Sequence, residues 1–151
     1  QQTIVSDEMT VDYFQNWNLI GVPFESNSFP CQGYVEGSLY SFENGSYMNE
    51  LIDNMSTGSG YWLRFDEAGT CTYSGEPINE LTITLNEGWN LISGISTSIT
   101  LSDIQDPDGI IISGTIYEFA PDGYSNAEIL EPGTGYWVRI NNPGSIILTS
   151  D

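Results

Sequence analysis

Apolar and polar residues alternate with a period of two along Leu81-Thr82-Ile83-Thr84-Leu85, the pattern of a strand with one buried face. Asn86-Glu87-Gly88 supplies a turn, and Trp89-Asn90-Leu91-Ile92-Ser93 returns as the second arm of a hairpin. Leu101-Ser102-Asp103-Ile104 reads as one helical turn. Ile116-Tyr117-Glu118-Phe119 predicts a strand stopped by Ala120-Pro121-Asp122-Gly123, with a returning strand around Tyr124-Ser125-Asn126. After Pro132-Gly133-Thr134-Gly135 comes the strand Tyr136-Trp137-Val138-Arg139-Ile140. Asn141-Asn142-Pro143-Gly144 turns it into Ser145-Ile146-Ile147-Leu148-Thr149.

The first half of the chain follows the same plan. Trp17-Asn18-Leu19-Ile20 precedes Trp89-Asn90-Leu91-Ile92 by 72 positions, and Leu39-Tyr40-Ser41-Phe42 precedes Ile116-Tyr117-Glu118-Phe119 by 77. Gly58-Ser59-Gly60-Tyr61-Trp62-Leu63-Arg64-Phe65 precedes Gly133-Thr134-Gly135-Tyr136-Trp137-Val138-Arg139-Ile140 by 75. The order of blocks holds while loops change length, so two tandem repeats of about 70–75 residues are expected, 9–76 and 79–151. The opening strand of the first is expected at 9–14, a short helix within 46–55, and the hinge at Glu76-Pro77-Ile78-Asn79. Ten or more short strands separated by turn residues predict an all-β fold, a pseudo-twofold β-sandwich or barrel. A lone repeat would leave one sheet face bare, so the expectation is a single domain, 1–151, with one shared core. Residues 1–8 precede the repeat as an arm, whose Thr3-Ile4-Val5 can add a strand to a neighbour's sheet edge.

Charge narrows the partners. Two Lys+Arg against 21 Asp+Glu leave a net charge of −19, which repels phosphate backbones and anionic headgroups, so no nucleic acid and no membrane insertion is expected. Hydrophobic residues at 39% and aromatics at 13% suffice for a core and oppose disorder. His is absent, which removes the commonest general base and metal ligand together with His-based nucleophile dyads. Lys is absent too, excluding Schiff bases and the P-loop. A carboxylate-pair hydrolase is the enzyme class left, and no pair stands out among the 21 acids. The expectation is a protein that is not an enzyme.

Cys31 and Cys71 lack metal-ligand spacing, and a disulfide is favoured over buried thiols. A disulfide implies an oxidising compartment. The chain opens at Gln1-Gln2 without Met, which suits an exported product whose leader was removed. An extracellular or cell-surface location is expected.

Trp17, Trp62, Trp89 and Trp137 read as core anchors of the repeat, since Trp17 and Trp89 sit beside Leu and Ile; the competing reading is an aromatic platform for sugar rings. On a strand Tyr61 and Trp62 point to opposite faces. Tyr34, Tyr40, Tyr47, Tyr73, Tyr117 and Tyr124 are numerous enough to line a groove, with Tyr34, Tyr47, Tyr73 and Tyr124 the candidate glycan contacts. Arg64 and Arg139, the two cations, each follow a Trp by two residues and share its face. Pairing each with a carboxylate as a structural anchor is favoured; recognition of a uronate or sulfated polymer is the sharper alternative, opposed by the surrounding negative field. Asp103, Asp106 and Asp108 before Gly109 form a weak calcium-loop pattern, interrupted by Pro107 and without a closing glutamate; Ca²⁺ is the single cofactor candidate.

Gly88-Trp89-Asn90-Leu91-Ile92-Ser93, Ile116-Tyr117-Glu118-Phe119 and Gly133-Thr134-Gly135-Tyr136-Trp137 together resemble the "GWNLIS…GYW" repeats of secreted surface proteins from marine, Bacteroidetes-like bacteria. The resemblance covers nearly all of the chain after Asp12 and implies architecture and export, with no catalytic residues. The first copy departs from it at Gln15-Asn16 and in its cysteine pair. The resulting expectation is a non-catalytic structural or adhesive β-module, self-assembling as a homo-oligomer or filament into an appendage or surface layer. The alternative is a carbohydrate-binding module whose partner is a surface polysaccharide.

Overall fold

The computed structural model describes residues 7–25 and 29–150. Thr3, Ile4 and Val5 of the expected strand-adding arm lie outside the described residues.

The described chain is all-β and sandwich-like. In the first half the strands are β1 (Asp7–Tyr13), β2 (Asn16–Ile20), β3 (Phe24–Glu25), β4 (Tyr40–Glu43), β5 (Ser46–Asn49), β6 (Tyr61–Phe65) and β7 (Gly69–Pro77). In the second they are β8 (Glu80–Leu85), β9 (Gly88–Ser93), β10 (Ile99–Thr100), β11 (Tyr117–Ala120), β12 (Gly123–Asn126), β13 (Ile129–Leu130), β14 (Gly135–Ile140) and β15 (Gly144–Thr149). One antiparallel sheet has the order β2-β6-β4-β5 and another the order β9-β14-β11-β12. Over the first lies the sheet β1-β7-β3, and over the second the pair β8-β15. These sheets do not close into a barrel.

The helical turn expected at Leu101-Ser102-Asp103-Ile104 is a 3-10 turn at Leu101–Asp103. The helix expected within 46–55 is instead β5 followed by a 3-10 turn at Ile52–Asn54. Asn49 explains the difference: its Nδ2 donates to the carbonyls of Gly37 and Leu39, 3.0 Å each, and holds this segment against β4.

The single shared core is also corrected. Among the described residues there are two cores, each inside one half. Leu63 and Phe65 of β6 pack with Cys71 and Tyr73 of β7 in the first. Ile83, Val138, Ile140, Ile146 and Leu148 fill the second. Each half buries its strands' inner faces on its own sandwich partner, so neither needs the other to cover a sheet. Cys31 and Cys71 form a disulfide inside the first core, with Cα atoms 5.0 Å apart.

Buried asparagines set the crossing between layers. Asn18 Oδ1 accepts the Phe14 N–H at 2.9 Å, while its Nδ2 donates to the carbonyls of Phe14 (2.9 Å) and Asn16 (3.1 Å). Asn90 makes the same three bonds to Asn86 and Gly88, at 3.1, 2.8 and 3.1 Å. The backbone between each asparagine and its partner passes through the left-handed region, at Asn16 (φ 76) and Gly88 (φ 94). That loop carries the chain from β1 to β2 and from β8 to β9, and it decides which face of β2 and β9 turns inward.

The halves meet end to end. The end of β2 bridges Thr134 through Ile20, and the end of β9 bridges Ser59 through Ile92. The Gly21 N–H donates to Gly133 (3.2 Å) and the Gly60 N–H to Leu91 (3.1 Å).

Candidate functional site: two aromatic clefts

With Asn18 and Ile20 turned inward, Trp17 must point out, because neighbours along a strand take opposite faces. Strand register then assembles the outer face. Trp17 lies opposite Arg64, Tyr40 opposite Trp62, and Phe42 opposite Tyr47. On the other sheet Trp89 lies opposite Arg139, Tyr117 opposite Trp137, and Phe119 opposite Tyr124.

The rings stand edge to face. Trp17 and Trp62 are 6.3 Å apart at 89°, and Trp89 and Trp137 are 6.1 Å apart at 87°. Two contacts cross between halves: Trp62 meets Phe119 at 4.8 Å and Phe42 meets Trp137 at 4.9 Å. Each phenylalanine keeps its contact within its own sheet, Phe42 with Tyr47 at 5.1 Å and Phe119 with Tyr124 at 5.2 Å, and also completes the other half's cleft. The result is two open clefts of about 480 and 450 Å³. Trp17, Tyr40, Tyr47, Trp62 and Phe119 line the first, and Phe42, Trp89, Tyr117, Tyr124 and Trp137 the second. Their volume suits a small ligand or one or two sugar rings.

Perpendicular rings build walls that accept the flat apolar face of a ligand, and tyrosine hydroxyls at the rim offer hydrogen bonds. In the second cleft Trp137 Nε1–H donates to the Tyr124 hydroxyl at 3.3 Å and orients it. None of the ten lining residues is a carboxylate, a thiol or an imidazole. What the clefts provide is contact.

The tryptophans therefore correct the expectation of core anchors. Trp17 and Trp89 are 38% and 40% exposed, and Trp62 and Trp137 are half-buried in the cleft walls. Asparagine burial reversed the phase of the strand, so that polar Asn18 and Asn90 face in and the adjacent Trp faces out. Of the candidate glycan contacts, Tyr47 and Tyr124 line the clefts at 54% and 53% exposure. Tyr34 and Tyr73 do not. Tyr34 packs against Phe29, and Tyr73 is 3% exposed, its hydroxyl 3.5 Å from the Cys31 Sγ in the core. Burial raises the Tyr73 phenol well above its ordinary range. Phe42 and Phe119 were missed. Their alternation with Tyr40 and Tyr117 was the available signal, since it puts Tyr and Phe on one face.

Arg64 and Arg139 share the outer face with the tryptophans and are exposed. The expected carboxylate anchors do not form among the described residues. The guanidinium of Arg64 donates through Nη2 to Asn16 Oδ1 at 3.5 Å. Gly88 stands opposite the corresponding place beside Arg139 and has no side chain to offer. The calcium candidates are not brought together either. Asp106 accepts the Ile110 and Ile111 N–H groups at 2.9 Å each, Asp103 accepts the Thr100 hydroxyl at 2.7 Å, and no cluster of three acidic or thiol groups suited to a metal occurs among the described residues. Among them, no helix is long and apolar enough to cross a membrane.

No protein-family model matches the chain, and neither a curated protein nor a solved structure does.

Proposed function

We propose that this chain is a non-catalytic adhesive module of the cell exterior that holds polysaccharide strands in its two aromatic clefts. The observation that carries the reading is the pair of clefts, each built of five aromatic side chains. Trp17, Tyr47, Trp89 and Tyr124 are exposed and the other six rings half-buried. Contiguous apolar surface of this kind costs solubility and marks interaction sites. Pyranose rings present flat C–H faces that stack on Trp and Tyr, while their hydroxyls reach phenolic oxygens. The disulfide is compatible with an oxidising, extracellular location. The acidic surface keeps the module soluble despite its aromatic face.

The arrangement favours two strands over one. Contacts between the halves are reciprocal: Phe42 with Trp137 answers Phe119 with Trp62, and Ile20 with Thr134 answers Ile92 with Ser59. Reciprocity of this kind is the mark of a twofold relation, here between tandem copies of one unit. A half-turn reverses the direction of any line drawn from one cleft to the other. A glycan has a reducing and a non-reducing end, so one strand cannot lie in both clefts in the same sense. The module therefore bridges two strands, and its adhesion is cross-linking.

Retention on insoluble polysaccharides tests binding, and turbidity or viscosity of soluble polymer tests bridging. Wild type is expected to be retained and to thicken the polymer. Trp89→Ala alone should keep retention and lose thickening, and Trp17→Ala with Trp89→Ala should lose both. A double variant that is retained as well as wild type would sink the reading.

A further inference from the structure

We propose that the clefts select acidic sugars, with Arg64 and Arg139 each holding a carboxylate or sulfate on the ring that stacks on the neighbouring tryptophan. This rests on the reading of the clefts as glycan sites and names the chemistry of the glycan.

The placement of the cations is the argument. With 21 acidic side chains available, two arginines anywhere on this surface would ordinarily find carboxylate partners. Both instead occupy the same register position on the aromatic face, directly across from Trp17 and Trp89 and two residues beyond Trp62 and Trp137. Cross-strand partners of this kind have Cβ atoms about 5 Å apart. Each arginine therefore stands beside its cleft, with an exposed side chain long enough to reach a ring held there. Neither forms an ion pair among the described residues. Arg64 donates through Nη2 to the Asn16 amide oxygen at 3.5 Å, and its side chain is exposed. A guanidinium carries five N–H donors, more than this one contact uses. The planar fork of arginine matches a carboxylate with two parallel hydrogen bonds.

The net charge of −19 opposes an anion, and magnitudes decide the conflict. The acidic field acts over distance and is screened beyond about 8 Å at physiological ionic strength. The arginine stands directly across the strand pair from a tryptophan of the cleft. A contact at about 4 Å outweighs many screened charges farther off. The field slows approach of an acidic polymer at low salt, and the arginine decides what stays. A cationic ligand would meet the opposite balance: drawn in from afar, then repelled at the cleft edge.

The test is calorimetric titration of the full chain at about 0.5 M NaCl, where the Debye length is roughly 4 Å. The titrants are a hexuronate tetrasaccharide, the neutral hexose tetrasaccharide of the same linkage, and its sulfated form. The expected result is that the uronate, the sulfated sugar or both bind at least tenfold tighter than the neutral sugar, the preferred arm naming the anion. Replacing Arg64→Ala and Arg139→Ala together should weaken acidic binding by about 10- to 100-fold, to the level of the neutral sugar, as loss of a charged hydrogen bond predicts. Arg64→Lys with Arg139→Lys should restore part of it. Both arginines are exposed, so these variants should melt like wild type. Equal affinity for neutral and acidic sugars, or full acidic affinity in the alanine variant, would overturn the selection while leaving the clefts as glycan sites. Failure of all three sugars to bind a folded protein would overturn both.

Discussion

Gly21 and Ser93 meet back to back at the junction of the halves, so closely that a Cβ on Gly21 would overlap the Ser93 side chain. The two residues stand at matching places, each directly after a Leu-Ile, Leu19-Ile20 in β2 and Leu91-Ile92 in β9. One of the two had to be glycine. The junction is tight elsewhere as well: a Cβ at Gly60 would lie 2.7 Å from the Ile92 carbonyl oxygen, and one at Gly135 2.9 Å from that of Ile20. Backbone meets backbone here, which is how two separately cored halves hold one orientation.

Gly21→Ala should therefore destabilise the protein by about 3 kcal/mol, within the range of severe overpacking. Ser93→Gly alone loses the Ser93 Oγ bond to the Ser59 carbonyl (2.9 Å) and should cost about 1 kcal/mol. Combined, the two changes should cost less than the first alone. Denaturant melts of the four proteins of this cycle check the coupling; simple additivity would show that the contact is not what limits residue 21.

Asn18→Ala and Asn90→Ala should each cost about 2–3 kcal/mol, because each removes three hydrogen bonds and strands buried backbone groups of the preceding turn. Asn→Asp at either place keeps the shape and loses both amide donors, and should be no better. Urea unfolding midpoints measure both; a loss below 0.5 kcal/mol, roughly the size of a neutral surface change, would contradict the role assigned to the loop.

Removing the disulfide with Cys31→Ser and Cys71→Ser should lower stability by about 4 kcal/mol, since the bond closes a span of 40 residues in the unfolded chain. For a chain of this length that corresponds to a fall in Tm of roughly 8–15 °C. Thermal melts with and without reductant should show the same gap in wild type and none in the double serine variant.

Trp89→Ala and Leu63→Ala separate binding from packing. Leu63 is fully buried, and its truncation should cost about 2–5 kcal/mol. Trp89 is 40% exposed and outside the core, so its truncation should cost about 1 kcal/mol or less while abolishing its cleft. Equal losses of stability would return the tryptophan to a packing role.

Burial pushes the Tyr136 phenol up to about 12, against an ordinary value of 10.0, with Glu118 and Glu131 adding to the rise and the Glu131 N–H opposing it. Tyr73 is raised further by burial alone. A phenol that ionises more readily unfolded than folded stabilises the fold fully below pH 10 and loses that contribution as pH climbs through the folded value. Stability should thus hold steady up to about pH 10 and then fall, by up to about 1.4 kcal/mol per pH unit for each of the two groups. Tyr136→Phe should shallow that fall. An alkaline limb unchanged in this variant would assign the loss to other groups.

Period-two alternation and turn residues were enough to place the strands within 81–93 and 136–149, because a strand's faces and a turn's backbone are local properties. The hairpin expected at 81–93 is corrected, since β8 pairs with β15 and β9 with β14, so that the chain crosses between sheets at each turn. The equivalence of Trp17 with Trp89 and of Arg64 with Arg139 was legible in the same way. The direction in which those tryptophans point was not. Trp-Asn-Leu-Ile reads naturally as an apolar residue beside a polar one, with the apolar residue inside. The side-chain amides of Asn18 and Asn90 invert this by satisfying every one of their donors and their acceptor on the turn just before the strand, so that burying Asn costs little. Likewise Tyr73 looked like Tyr47 and Tyr124 in the linear chain, and only the disulfide and β7 put it in the core.

Order of strands, an all-β fold, the acidic surface and the cysteine pair follow from residue type and near neighbours, and these the chain carries in linear form. The two cores, the contacts of Phe42 and Phe119 with each other's aromatic row, and the absence of an ion pair at Arg64 and Arg139 among the described residues belong to the folded molecule. They depend on which sheet covers which face and on how the halves abut at Gly21 and Ser93, on contacts such as Trp62 with Phe119, 57 positions apart, and Gly21 with Ser93, 72 apart, that no local pattern encodes.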